Sequence, residues 1–186
     1  MTKKEQRAYI KQLLKGKSTE EFLEASVLAS QRLISLPQFE NANAFLAYMA
    51  LPRECDPSEV VKKAREIGIA VAFPLCVDGN RIKICVPYSE ECFVTGAYGI
   101  TEPDPDRSAI LSPNDLDLII VPGLGFDSEC RRLGRGAGYY DRLLCESRAY
   151  KVGFCFDEQI FDEICTEEHD VTLDCVVTSE RVFYKN

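Results

Sequence analysis

Apolar positions along this chain follow two periods, and the period switches repeatedly. Tyr9, Ile10, Leu13 and Leu14 recur at helical spacing within residues 3–15, and Gly16 ends the run. Ser18 with Glu21 three positions on forms a capping-box pattern, which predicts a helix to about Leu36. Ala44–Met49 is a short apolar run of strand length. Asp56-Pro57-Ser58-Glu59 opens another helix and Gly68 closes it. Ile69–Leu75 is apolar and β-branched, hence a buried strand. Val77-Asp78-Gly79-Asn80 is a turn, and Arg81–Val86 alternates like a half-exposed antiparallel strand.

Residues 89–113 show little periodicity and several prolines, which predicts a long loop. Ser112-Pro113-Asn114-Asp115 reads as a turn of helix. Leu116–Val121 is the most hydrophobic strand candidate and runs directly into glycines. A helix over Tyr139–Arg148, a strand over Lys151–Phe156, a short helix near Glu158–Ile164 and a strand over Asp174–Thr178 complete the pattern. Strands alternating with helices predict an α/β fold, a mainly parallel sheet flanked by helices on both faces. The whole chain, residues 1–186, reads as one such domain. Ligands of these sheets bind beyond the carboxyl ends of the strands, which points to the loops after Met49, Leu75, Val121 and Phe156.

Composition narrows the function. Of 186 residues, 46% are hydrophobic and 28% charged, ordinary globular usage. Twenty-two Lys and Arg against 30 Asp and Glu leave a net charge of −8, which argues against general nucleic-acid or membrane-surface binding. There is no long apolar run, and the basic N-terminus is not followed by an apolar stretch, so a cytoplasmic location is expected. The nine cysteines include no C-x-x-C, so they read as reduced, mostly core-filling thiols rather than a zinc or disulfide framework.

The densest chemical signal is Val121–Arg142. Gly123 and Gly125 follow the strand. Gly134, Gly136 and Gly138 then alternate around Arg135 and Ala137 before a helix opens at Tyr139-Tyr140-Asp141. Alternating glycines let backbone N–H groups converge on an anion, and a helix N-terminus behind them adds its dipole. Arg131, Arg132 and Arg135 supply the positive charge that the chain as a whole lacks. Asp141 reads as a ligand for Mg²⁺ accompanying a nucleotide. The spacing is neither G-x-G-x-x-G nor a G-K-[ST] loop. A bare strand-to-helix turn also uses glycines, but the interleaved arginines, the tyrosine pair and Asp141 exceed what such a turn needs.

Pro122-Gly-Leu-Gly-Phe-Asp127 and Arg132-Leu-Gly-Arg-Gly-Ala-Gly-Tyr-Tyr-Asp141 resemble the signature of the 5-formyltetrahydrofolate cyclo-ligase (5,10-methenyltetrahydrofolate synthetase) family. The resemblance extends to Lys3 and Arg7, to Met49 and Glu54, to Gly99-Ile100-Thr101-Glu102-Pro103, and to Glu167, His169, Asp170, Asp174, Val176 and Thr178. It implies the NagB/RpiA/CoA-transferase-like three-layer sandwich. It implies a ligase of one-carbon metabolism that uses Mg²⁺ and ATP to convert 5-formyltetrahydrofolate to 5,10-methenyltetrahydrofolate.

Carried over by motif, the resemblance implies ATP contacts from Lys3, Lys4 and Arg7, and from Arg132, Leu133, Gly134, Arg135, Gly136, Ala137, Gly138, Tyr139 and Tyr140. It implies folate contacts from Met49, Glu54, Arg135, Gly136, Gly138 and Tyr139, with Arg135 and Tyr139 as the catalytic pair. Asp141 and Asp170 would hold Mg²⁺, though oxygen ligands suit Mn²⁺ as well. His169, the sole histidine, invites a catalytic role, but this chemistry needs no strong base. The partners expected are small molecules, with the chain a monomer or homodimer. A sugar-phosphate isomerase or CoA-transferase-like enzyme, which would not need Mg-ATP, is the alternative. A non-catalytic folate- or nucleotide-binding module, which would bind without turnover, is another.

Overall fold

The computed structural model describes residues 1–78, 81–96 and 101–185. Of the motifs above, Gly79, Asn80, Gly99 and Ile100 lie outside them. Helix α1 (Lys3–Leu13) starts at a capping box between Thr2 and Glu5, and α2 (Thr19–Ile34) at the expected one between Ser18 and Glu21. A one-turn α3 (Pro37–Glu40) leads to strand β1 (Ala44–Leu46). Asp56 Oδ1 accepts from Ser58 N to open α4 (Ser58–Glu66), and Gly68 leaves it at φ +83°.

Strands β2 (Ala70–Val77) and β3 (Arg81–Pro87) pair antiparallel. The predicted long loop instead folds into β4 (Phe93–Thr95), β5 (Thr101–Pro103) and β6 (Ser108–Leu111). The prolines that argued for a loop punctuate these strands. Pro103 ends β5, and Pro105 opens the 3-10 turn before β6. A second 3-10 turn at Pro113–Asp115, capped by Ser112, precedes β7 (Leu118–Val121).

Inside the glycine-rich segment lie two short strands that the pattern did not reveal, β8 (Gly125–Asp127) and β9 (Arg132–Leu133). Helix α5 (Tyr139–Glu146) and β10 (Tyr150–Phe154) follow. The helix expected near Glu158–Ile164 is a 3-10 turn at Asp157–Gln159 running into β11 (Ile160–Phe161), which pairs with β8. Gln159 explains the difference. Its side chain accepts from Phe156 N and donates to the carbonyls of Gly123 and Leu124, stitching this turn to the end of β7 instead of continuing a helix. Strands β12 (Cys175–Val177) and β13 (Val182–Tyr184) end the chain.

The main sheet has the order β13-β12-β10-β7-β1-β2-β3-β6. Its centre, from β12 to β2, is parallel, and β13, β3 and β6 add antiparallel edges. Phe45, Leu118 and Ile120 face α1, α2 and α4, while Leu46, Ile119 and Val121 face α5. Both faces are therefore covered, and the central strands are apolar throughout, as parallel strands require. The nine cysteines are all free; six are buried and Cys76, Cys145 and Cys165 are exposed. Among the described residues no helix is long and apolar enough to cross a membrane.

One topological detail positions the site. β1 leads through α4 to β2 on one side, whereas its neighbour β7 leads through α5 to β10 on the other. The loops leaving β1 and β7 diverge, which opens a crevice between their carboxyl ends.

Candidate active site

A cavity of about 340 Å³ occupies that crevice. Its walls come from the loop after β1 (Met49, Glu54), from β2 (Pro74, Cys76), and from β5 (Thr101, Glu102). Pro122 and Gly123, the 134–138 loop and the first turn of α5 complete them. Of the loops expected to form the site, the one after Phe156 contributes nothing to this cavity.

The β1 loop aims Glu54 inward through its own backbone. Glu54 N donates to Leu51 O (2.9 Å), and Glu54 Oε2 accepts from Leu51 N (2.9 Å). Arg53 turns the corner at φ +67°, a left-handed conformation that costs a non-glycine residue about 1–2 kcal/mol. The Tyr48 hydroxyl, fully buried, donates to Cys55 O and closes the base of the loop. Burial drives its phenol far above the usual range, so it stays protonated.

The glycines serve two different purposes. Gly136 and Gly138 adopt φ +105° and +72°, so the loop they flank needs residues without a Cβ. Gly123 and Gly125 are there for close approach: a Cβ at Gly123 would meet Phe126 Cζ at 2.6 Å, and one at Gly125 would meet Phe161 Cε2 at 2.5 Å. Gly138 stands at the N-cap of α5 and presents that helix's first turn to the cavity.

The three arginines of the motif go to three different places. Arg131 turns away from the cavity, with Nε 2.7 Å from Asp127 Oδ2 and Nη1 3.4 Å from Glu163. Asp127 is fully buried and also accepts from Ile164 N (2.8 Å), so the aspartate of the Phe-Asp pair is scaffold. Arg132 lines the cavity but is 8% exposed, its Nη1 donating to Pro122 O (3.2 Å) and its Nη2 to Asp141 Oδ1 (2.5 Å). Arg135 is exposed and reaches across the cavity mouth to Glu54. Tyr140 is half-buried, its hydroxyl sealed from solvent with no hydrogen-bond partner, and burial lifts its pKa well above normal against the pull of Arg132.

Of the residues assigned to ATP, Gly134–Tyr140 and Arg132 line the cavity, but Leu133 packs its side chain into the core. Arg7 sits behind the loop, with Nε donating to Gly134 O (2.9 Å) and its guanidinium close to Gly136. Lys3, one helical turn away, pairs with Asp170 (2.6 Å) and Glu167 (3.1 Å); Lys4 is exposed. Met49, Glu54, Arg135, Gly136, Gly138 and Tyr139 do converge on the cavity. Asp141 lies at its edge, whereas Asp170 lies outside its walls, bonded to Lys3 and to Glu167 N. Among the described residues no group of three metal-ligating side chains is assembled. His169 is exposed, 3.4 Å from Glu167. Pro74, Cys76 and Leu51 also line the cavity; backbone topology brings them there, which leaves no local motif, whereas Gln159 stays in the scaffold behind Gly123.

Fold and site together define a doubly wound α/β protein with its polar groups gathered where the winding reverses. A family model described as the 5-formyltetrahydrofolate cyclo-ligase family matches residues 1–179, and the chain belongs to that family. The 5-formyltetrahydrofolate cyclo-ligase of Mus musculus is 33% identical over 183 residues, covering 92% of this chain and 90% of the mouse protein. That of Escherichia coli K12 is 29% identical over 181 residues, covering 94% and 98%. The solved structure of Aquifex aeolicus 5,10-methenyltetrahydrofolate synthetase superposes with a TM-score of 0.87 at 33% identity, covering 99% of this chain and 93% of that one. A Mycoplasma pneumoniae synthetase, at 22% identity and TM-score 0.78 over 96% and 99%, shares the fold.

Proposed function

We propose that this protein closes 5-formyltetrahydrofolate to 5,10-methenyltetrahydrofolate at the expense of ATP. The formamide oxygen is a weak nucleophile and its carbon a weak electrophile. Transfer of the γ-phosphoryl group to that oxygen forms an N5-iminium phosphate and releases ADP. N10 then attacks the activated carbon, the C–O bond breaks, phosphate leaves with the former formyl oxygen, and N10 gives up its proton. Little covalent work falls to the protein, so it acts by positioning and by neutralising charge.

The convergence of Glu54 and Arg135 on one cavity, from loops 81 residues apart, carries this reading. Glu54 is held by Leu51 N in a fixed pose suited to accept from the N–H groups of a pterin. Arg135 and the loop around it face the phosphate path, and Arg7 braces that loop from behind. Tyr139, half-buried in the cavity wall, orients the folate near the transferred group. Mg²⁺ bound with ATP neutralises phosphate charge and takes few protein ligands, so a single carboxylate such as Asp141 suits it. Asp170, engaged by Lys3, contributes through the seat of α1.

The test is absorbance of the methenyl product from 5-formyltetrahydrofolate with and without Mg-ATP. Product formation only with Mg-ATP, and its loss in Asp141→Ala, is expected. Absence of the chromophore from folded protein would overturn the proposal.

A further inference from the structure

On the α4 side of the Glu54 cavity a second, larger one opens, of about 680 Å³. The two share Tyr48, Met49 and Thr101, so they adjoin at the β1 loop. The floor of the second cavity is aromatic. Phe73 and Phe93 meet edge to face, with ring centroids 5.2 Å apart, beside Met49.

Charge on its rim is unevenly compensated. Asp56 is committed to capping α4 through Ser58 N (3.0 Å). Glu66 lies 3.7 Å from Lys63, and Glu90 pairs with Arg65. Lys62 is exposed at the rim and has no ion-pair partner among the described residues. Arg65 and Glu90 are both exposed, and such a pair yields readily to a competing carboxylate.

Volume decides what belongs here. The Glu54 cavity, at about 340 Å³, lies at the low end of the roughly 300–1,000 Å³ used by small-molecule sites. Two substrates, a nucleotide and a folate, must meet there. The glycine-rich loop lines the Glu54 cavity and not the second one, so the nucleotide's phosphates belong to the former. A folate is linear: pterin, then N10 and an aryl ring, then a glutamate with two carboxylates. With the pterin at Glu54, the remainder points toward Met49 and the aromatic floor.

Resting on the cyclo-ligase reading, we propose that the cavity between α4 and β4 takes the aminobenzoyl-glutamate half of the folate. The aryl ring lies on Met49, Phe73 and Phe93, and Lys62 receives the glutamate carboxylates. Lys62 is then a specificity determinant for the tail, separate from the residues that handle phosphate.

The test compares 5-formyltetrahydrofolate with 5-formyltetrahydropteroate, which keeps N5, N10 and the aryl ring but lacks the glutamate. Steady-state kinetics at saturating Mg-ATP are run on wild type, Lys62→Glu and the charge-matched control Lys63→Glu. Lys62→Glu is expected to raise KM for the folate about fivefold, the scale of losing an exposed charge-assisted contact, with kcat and the KM for Mg-ATP held. The wild-type preference for folate over pteroate collapses in Lys62→Glu and survives in Lys63→Glu. An unchanged preference in Lys62→Glu, or an equal change in both variants, overturns the proposal and leaves the cyclo-ligase reading intact. If wild type shows no turnover, that reading falls, and NMR titration with p-aminobenzoylglutamate decides the subsite instead. Shifts at Phe93 that vanish in Lys62→Glu uphold it, and their absence in wild type sinks it.

Discussion

Arg135 Nη2 lies 2.5 Å from Glu54 Oε1, with Nε 3.1 Å from the same oxygen, so the glycine-rich loop is tied to the β1 loop across the mouth of the cavity. The two residues most needed by the proposed substrates are thus each other's partners. Glu54 is well covered, while Arg135 is half-exposed, so the pair is easily exchanged for a ligand.

That pairing predicts a coupled response in a double-mutant cycle. Glu54→Gln and Arg135→Ala each lower kcat/KM for the folate by at least tenfold, and the double variant loses less than the product of the two. Stability of the free protein changes by only about 0.5–1 kcal/mol, because the arginine side of the pair is open to solvent. Strict additivity in kcat/KM would mean that the pair does not act as a unit.

Arg132 predicts the opposite division of effects. It is 8% exposed, holds Pro122 O and Asp141, and its Nε has no hydrogen-bond partner. Arg132→Ala leaves Asp141 without its cation and is expected to cost about 3 kcal/mol in denaturant unfolding. Arg132→Lys recovers part of this, because an ammonium lacks the fork that serves both acceptors. A stable Arg132→Ala protein with weakened ATP binding would instead identify Arg132 as a phosphate ligand.

Asp170 sets an acid limit. Burial opposes its charge, but hydrogen bonds from Lys3 and Glu167 N prevail and hold its pKa below the ordinary 3.8. A carboxylate depressed by folding contributes stability above its unfolded pKa and loses it as pH falls through the folded value. Asp170→Asn is therefore expected to melt below wild type at neutral pH, by about 1 kcal/mol, with the difference closing below about pH 3. Melting curves that stay separated in acid would exclude this tie as the source.

Thiol reactivity reads the same structure independently. Cys145 and Cys165 are exposed and should label first with a chromogenic disulfide at neutral pH. Cys76 should follow more slowly, since partial burial and then Glu102 raise its thiol pKa. The six buried cysteines, among them Cys130 pushed up to about 11 by burial, should react only on unfolding. Cys76 lines the Glu54 cavity, so bound folate should protect it selectively.

The central strands were legible because burial on both faces leaves an unmistakable apolar run, as in Leu118–Val121. Strands whose pairing is set by distant partners were not. β8 and β9 lie within a glycine-rich stretch, and β13 is three residues at an edge. The motif residues that converge on the cavity were legible for their chemistry, yet a motif cannot say which way a side chain turns. Arg131, Arg132 and Arg135 look equivalent in sequence, and only Arg135 stands free of the scaffold to meet a ligand.

The seat of α1 bears on how the chain is made. Lys3 reaches Asp170 across 167 positions, Gln6 clasps Glu163 O and Cys165 N, and Arg7 meets Gly134. Every one of these anchors is synthesised long after the helix it holds. During translation the first helix must wait, unseated, until residues 163–170 have cleared the ribosome, and such long closures fold slowly. The helix that braces the glycine-rich loop is thus fully seated only after the loop itself and the segment 163–170 have been made.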